Sequence, residues 1–290
     1  MPDYGRDLKF GWFAEPNVGQ HRELIAAAKV ADRNGLDLIG IQDHAYNPDH
    51  LENWTLLSAI ALATQRLHVF PDVANLPLRP PVMLAKAAAT LDVLTDGRVE
   101  IGLGAGAFPQ GIAAMDGPRR DGKPTVREVE ESIDVMREFW SGERSVRYRG
   151  KYHSLDGTHP GPPPAHDIGI WLGVLGPRML NLLGRKGDGW LPSLNFVPPE
   201  KLLVAHELID AGGAEAGRNP AQIERIYNVW GPYSTDQWIE LLTGITLEYG
   251  MNGYVFGVPP VEDELRRITD EIAPAVREAV AAERARRSSK

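Results

Sequence analysis

The chain has 290 residues, of which 43% are hydrophobic, enough to fill one large core, and α/β barrels of this length fold as single units. Its 31 basic against 39 acidic residues leave a net charge of −8, which argues against a surface built for nucleic acid or anionic membrane. There is no cysteine, hence no disulfide, thiolate metal site or cysteine nucleophile; the polar start Met1 to Arg6 and the lack of any apolar run near about 18 residues set the expectation of a cytoplasmic protein.

Short apolar runs alternate with longer amphipathic ones, the pattern of repeated βα units. Leu8-Lys-Phe-Gly-Trp-Phe-Ala14 reads as the first strand and Gln20–Asn34 as a helix stopped by Gly35. Leu36–Gln42, a helix near Asn53–Thr64, and Leu67–Ala74 follow. Pro81 opens the next helix, which ends near Thr95, and Asp96-Gly97 turns the chain into Arg98–Gly104. The rhythm then breaks. Residues 108–123, rich in Gly, Pro and charge, read as a long loop, followed by a helix at Thr125–Trp140. A second long connection, 145–167, contains a hairpin candidate, Arg147–His153, and Gly161-Pro-Pro-Pro164. The units resume with Ile168–Val174, a helix Pro177–Lys186, Asp188–Leu194, a helix Pro199–Gly212, and Ile223–Trp230. A helix Thr235–Tyr249, the strand Asn252–Gly257 and a charged helix from Val261 to Arg287 close the chain. Eight units in sequence favour a closed (β/α)8 TIM barrel, class α/β, over a doubly wound sheet. It is expected to be one domain, 1–290, with insertions at 108–123 and 145–167, after the fourth strand and before the fifth.

In such barrels the reactive end is the carboxyl end of the strands. The second strand ends in Gln42-Asp43-His44, a carboxylate beside an imidazole, suited to moving or orienting a proton; a turn aspartate with an exposed histidine is the plainer alternative. Tyr46 and Trp54 are either walls for a flat ligand or ordinary packing. Pro71 and Pro77 bracket Asp72, which marks a bulge or an abrupt strand end. Gly102-Leu-Gly-Ala-Gly106 lets backbone approach a ligand, or serves a tight barrel corner; it is no dinucleotide fingerprint, since Phe108-Pro109 follows where a helix is required. Gly176-Pro177-Arg178 opens a helix with free N–H groups and a positive charge, an anion site or a plain βα turn. The histidines are scattered, and no metal-binding motif is present.

Taken together, Gly40-Ile-Gln-Asp-His44, Leu76-Pro-Leu-Arg-Pro-Pro-Val-Met-Leu-Ala-Lys86, Thr90-Leu-Asp-Val-Leu-Thr-Asp-Gly-Arg98, Gly102–Gly106 and Gly184-Arg-Lys-Gly-Asp-Gly-Trp190 resemble the bacterial luciferase-like monooxygenase family over about Phe10–Phe256. The resemblance implies a flavin- or deazaflavin-dependent oxidoreductase carrying coenzyme F420 or FMN across the barrel mouth for two-electron transfer to or from a small organic substrate, with the dehydrogenase direction and O2-coupled monooxygenation both open. It further implies a third-strand bulge with a non-prolyl cis peptide at Asp72-Val73, with Ala74 and Asn75 beside it. Gly104 and Gly106 would approach the ring, Gly176, Pro177 and Arg178 would hold the phosphate, and Asp43 with His44 would stand at the reactive face. The glycine-rich loop lacks the arginine of flavin-using relatives, and the compact length also leans toward the deazaflavin branch. Arg119-Arg120-Asp-Gly-Lys123 matches nothing in the family and reads as a mobile lid. A non-catalytic flavin-binding protein and a metal-dependent barrel hydrolase are the competing functions. A small-molecule substrate and a homodimer are the expected partners.

Overall fold

The computed structural model describes residues 3–118 and 126–289. The lid expected at Arg119–Lys123 and the helix start at Thr125 lie outside the described residues.

In chain order the first half comprises β1 (Lys9–Ala14), α1 (His21–Asn34), β2 (Leu38–Ile41), α2 (Asn53–Ala63), β3 (His68–Pro71), β4 (Ala74–Asn75), α3 (Pro81–Leu94), β5 (Ile101–Gly104), α4 (Pro109–Ala114) and α5 (Val126–Trp140). The second half comprises β6 (Val146–Arg149), β7 (Ser154–Thr158), β8 (Ile170–Leu172), α6 (Pro177–Lys186), β9 (Gly189–Trp190), α7 (Leu202–Glu215), β10 (Glu224–Val229), α8 (Thr235–Tyr249) and β11 (Gly253–Phe256). The closing helix has three parts: α9 (Glu262–Arg266), a π-helical stretch Arg267–Ile272, and α10 (Ala273–Ser288).

The large sheet runs β3-β2-β1-β11-β10-β9-β8-β5-β4, all parallel. β3 and β4 are two halves of one barrel strand, separated by Asp72 and Val73, whose peptide bond is cis. The first half pairs with β2 and the second with β5, while Val69 bridges Val99, so eight strand positions close the (β/α)8 barrel. A hairpin does form, as the antiparallel pair β6 and β7, but Arg147–His153 supplies only its first strand and turn, and the second strand, Ser154–Thr158, lies beyond the expected segment.

Local chemistry sets the element ends. Gly35 takes φ 89° as the stop of α1, and Asp96 and Gly97, at φ 53° and 88°, make the left-handed turn from α3 into β5. Ser234 and Gln237 form a reciprocal capping box at α8. One expectation fails: 108–123 is not all loop. Pro109 starts a six-residue helix whose Ile112 is buried, so the glycine run of β5 does lead into a short helix. Gly and Pro composition hid it.

Strand side chains alternate inward and outward. Phe13, Leu38, Phe70, Trp171, Leu191, Ile226 and Val255 fill the barrel interior as one cluster, while Phe10, Trp12, Ile39, Ile41 and Leu172 face the helices. The amino-terminal end is closed by charge: Glu224 accepts from Lys9 Nζ at 2.8 Å and from Asn252 Nδ2 at 2.6 Å, and pairs with Arg6. Below β10 the fully buried Arg225 donates to Asp210 (2.6 Å) and to His206 Nδ1 (3.1 Å), with its guanidinium 3.6 Å from the centre of the Tyr4 ring.

α6 and α7 cross closely because both present glycine. A Cβ on Gly184 would overlap the Ile209 carbonyl oxygen and stand 2.7 Å from the Gly213 nitrogen. Gly184→Ala is therefore expected to cost about 1–3 kcal/mol through overpacking against backbone, which cannot swing aside. An unshifted urea midpoint would show that the two helices part freely.

Candidate active site

Three polar groups are built into the carboxyl ends of β2, β3 and β10. Asp72 continues the inward register of Phe70, above the apolar interior. Gly40 makes its room, since a Cβ there would lie 2.8 Å from Phe70 Cζ and 2.9 Å from Asp72 Oδ2. Asp72 is 8% exposed; its Oδ1 accepts from Asn228 Nδ2 at 3.1 Å, and its Oδ2 has no hydrogen-bond partner. Burial pushes this carboxyl up to about 7, with the Asn228 bond pulling the other way. Asn75 Oδ1 and Asn228 Oδ1 are likewise buried without a partner. Buried polar atoms are normally satisfied, so three such atoms, at the ends of the third strand and of β10 across the barrel, call for a ligand or water.

Asp43, at the end of β2, is fully engaged. Its carboxylate accepts from the Asn75 backbone N–H at 2.8 Å and from Arg79 Nε and Nη2 at 2.5 and 2.7 Å. Arg79 also donates to Glu52, which caps α2 through the Thr55 N–H. With its lone pairs so occupied, Asp43 locks the β4 backbone and Arg79 in place and is poorly placed to carry a proton itself.

His44 is different. It is exposed, its Nδ1 lies 2.6 Å from the Tyr46 hydroxyl, and its ring meets Tyr46 edge-on at 5.5 Å. Partial burial, then His50, hold its pKa below the ordinary imidazole value, against the opposing pull of Asp43, so it is neutral at pH 7. Tyr46 packs edge-on to Phe108 at 5.1 Å, and Gly111 of α4 gives both rings space. Tyr46 thus belongs to the mouth. Trp54 packs instead against the outer core from α2, which answers the two readings of that pair.

The glycines divide into two kinds. The space a Cβ would take on Gly104 is filled by Val73, and on Gly106 by Pro77 and Ile112. These two make room for the bulge and for α4 with their missing side chains, and only their backbone is left for a ligand. Gly176 has open space around it, and it precedes Pro177 and the exposed Arg178 at the amino end of α6, where no side chain caps the helix. That end offers free N–H groups and a cation to an anion.

The structure brings Asp43, His44, Asp72, Val73, Ala74, Asn75, Gly104, Gly106, Gly176, Pro177 and Arg178 to one end of the barrel, on the loops or strand ends of β2, β4, β5 and β8. Sequence reasoning missed Arg79, Asn228 and Trp230. Trp230 packs edge-on to Phe13 at 4.9 Å and covers Gly257. Asn228 was visible as a polar residue at an inward position two after Ile226, and Arg79 as the cation that a carboxylate at an inward strand end requires.

A closed eight-stranded parallel barrel with an incompletely satisfied polar floor and an uncapped helix end at its mouth defines a barrel protein with a ligand site in its βα loops. Residues 8–230 match the family model described as luciferase-like monooxygenase, and the chain belongs to that family. It is 30% identical over 239 residues to an F420-dependent glucose-6-phosphate dehydrogenase of Rhodococcus hoagii, spanning 79% of this chain and 70% of the relative. It is 29% identical over 276 residues to a 5,10-methylenetetrahydromethanopterin reductase of Archaeoglobus fulgidus, spanning 94% and 78%. Among solved structures, an F420-dependent secondary alcohol dehydrogenase in complex with an F420-acetone adduct superposes with a TM-score of 0.82 at 19% identity, over 93% of this chain and 99% of the other. An FMN complex of a type II Baeyer-Villiger monooxygenase component from Pseudomonas putida superposes at 0.76 and 19% identity, over 93% and 98%. These likenesses establish the fold.

Proposed function

We propose that the protein is an oxidoreductase that uses coenzyme F420, or failing that FMN, for two-electron transfer to or from a small organic substrate. The observation that carries this reading is the set of buried, partnerless polar atoms on Asp72, Asn75 and Asn228 beneath the mouth, beside the open helix end at Gly176. A flat heterocycle with hydrogen-bonding edges and an anionic tail fits both features. When bound, such a cofactor supplies the hydride chemistry. The chain's residues do the rest. The Asp72–Asn75 segment seats the ring, with the backbone of Gly104 and Gly106 alongside. Gly176, Pro177 and Arg178 hold the tail's negative charge. Asp43 fixes Asn75 and Arg79, and His44 exchanges a proton with the substrate.

F420 is favoured because the Rhodococcus hoagii relative named above is an F420-dependent enzyme, and because no arginine stands in the Gly102–Gly106 run. Phe108, Leu175 and Phe196 stand exposed on the loops after β5, β8 and β9, which are neighbours in the sheet, and they support an apolar flank for the substrate. Titrating the purified protein with F420 and with FMN tests the reading. Micromolar binding of F420 with weak or no FMN binding is the expected result, and failure of both would overturn it.

We also propose that the protein is a homodimer through α2 and α3. α2 carries no charged residue and exposes Leu62, and α3, which packs against α2, exposes Met83, Val93 and Leu94. Exposed apolar residues gathered on adjoining helices mark an interaction surface. Leu62→Glu combined with Leu94→Glu is expected to convert a dimer to a monomer in sedimentation velocity. A monomeric wild type removes the proposal.

A further inference from the structure

Four other buried carboxylates face a cation, Asp43 with Arg79, Asp92 with His166, Glu131 with Arg127 and Glu224 with Arg6 and Lys9, and Asp32 is held instead by the backbone N–H groups of Gln65, Arg66 and Leu67. Asp72 has neither among the described residues. From β3 it meets Phe70, from β2 the bare backbone of Gly40, and from β10 the neutral amide of Asn228. The next residue, Val73, fills the space before Gly102, Gly104 and Gly173. Asp43 and His44, at the end of the adjacent β2, are engaged by Arg79 and Tyr46, and among the described residues burial and the Asn228 amide set the state of Asp72. A carboxylate in that setting would be an uncompensated buried charge with one weak donor.

We propose that Asp72 acts as a neutral carboxylic acid whose Oδ2–H donates a hydrogen bond to a carbonyl or ring-nitrogen acceptor of the planar cofactor, so that the cofactor and a proton bind together. The proposal rests on the reading of the mouth as a flavin-type ring site. Asn228 holds Oδ1, which leaves Oδ2, buried against Gly40, as the oxygen without a partner among the described residues and the one free to donate. Burial already pushes the free acid up to about 7. An acceptor laid against Oδ2–H stabilises the neutral form further, so the bound value lies higher than the free one. Binding then takes up a proton above about pH 7, and affinity falls as pH rises from there toward the bound value. His44, whose pKa is lowered, titrates on the acid side and leaves a separate mark.

The test compares wild type with Asp72→Asn. Dissociation constants for F420 and FMN are measured from pH 5.5 to 8.5, with proton uptake read by calorimetry in buffers of differing ionisation heat. The amide still donates but cannot ionise. At pH 6 the variant is expected to bind within about threefold of wild type. Above pH 7 wild type is expected to weaken by up to about tenfold per pH unit relative to the variant, because one proton is linked to one ligand. Comparing the two proteins cancels the ionisation of the cofactor itself. Identical pH profiles for the two proteins remove the role of Asp72 and leave the cofactor reading standing. Absence of any cofactor binding removes the reading and the inference together. As a check that needs no variant, the Asp72 carboxyl carbon resonance of ligand-free wild type is expected to report a protonated acid at pH 6, and an ionised group there overturns the proposal.

Discussion

His44→Ala is expected to lower kcat by about 10²–10⁴-fold while leaving the fold intact. The imidazole is exposed, so its removal creates no cavity, and surface changes of this kind stay within about 0.5 kcal/mol. The effect falls on turnover because Asp43, the other ionisable residue of the pair, is held by Arg79 and Asn75 and cannot take over the proton. The sign of the pH dependence follows from the lowered pKa. At pH 7 His44 is neutral and accepts a proton, which suits removal of hydrogen from a hydroxyl-bearing substrate. In that direction the rate is full above the lowered value and declines as pH falls through it. In the reductive direction the dependence reverses. Added imidazole restoring part of the lost rate would identify the deficit as proton transfer, and an unchanged kcat in the variant would exclude His44 from the reaction.

Arg225→Met is expected to be the most destabilising single change considered, at about 3–5 kcal/mol, the scale for breaking a buried hydrogen-bond network and leaving several buried acceptors without their donor. Arg225 is wholly buried and makes hydrogen bonds to Asp210, to His206 Nδ1 and to the carbonyls of Pro220 and Ile223. Its loss leaves the buried His206 Nδ1 and the Pro220 and Ile223 carbonyls without their donor and uncovers the Tyr4 ring that packs on the guanidinium, while Asp210 keeps the Tyr4 hydroxyl. A fall in Tm of about 10 °C follows from the usual few degrees per kcal/mol, and a shift under about 2 °C would show that the cluster contributes little. Its neighbour supplies a pH signature. His206 must be neutral, because Nδ1 accepts from Arg225 while Nε2 donates to the Tyr249 carbonyl. Burial, then the Arg225 charge, press its pKa to about 3. The unfolded chain binds that proton near pH 6.5, so stability is full above that value and falls by up to about 1.4 kcal/mol per unit as pH drops toward the folded value.

Much of the barrel was legible because its information is local. The ends of α6 and α8 were read from Pro177, Thr235 and the periodicity between, and Pro71 and Pro77 announced the break in the third strand. Strands came out shorter than their apolar runs: Asp188–Leu194 yields only the pair Gly189–Trp190, since hydrophobicity persists past the last ladder bond. α4 escaped because six residues carry too little periodicity to stand out against glycine and proline. The site was legible by position and less so by role. Asp43 beside His44 suggested a proton pair, whereas the structure gives Asp43 to Arg79, a partner thirty-six residues away that no short-range pattern reveals. Gly104 and Gly106 suggested ligand contact, yet their missing side chains accommodate Val73, Pro77 and Ile112. Such pairings are fixed by tertiary packing, and a local pattern cannot carry them.

The way the barrel closes has a consequence for its motions. Between the third strand and β5 the ladder consists of the two-residue contact of β4 and the bridge of Val69 to Val99, fewer bonds than β1 makes with either neighbour. The ladders of β9 with β8 and with β10 are as short, so thermal breathing of the ring should concentrate on this side of the barrel, and Asn75 lies on it. Anything seated there fastens the two edges like a clasp, so occupancy and resistance to unfolding become one linked equilibrium, each rising with the other.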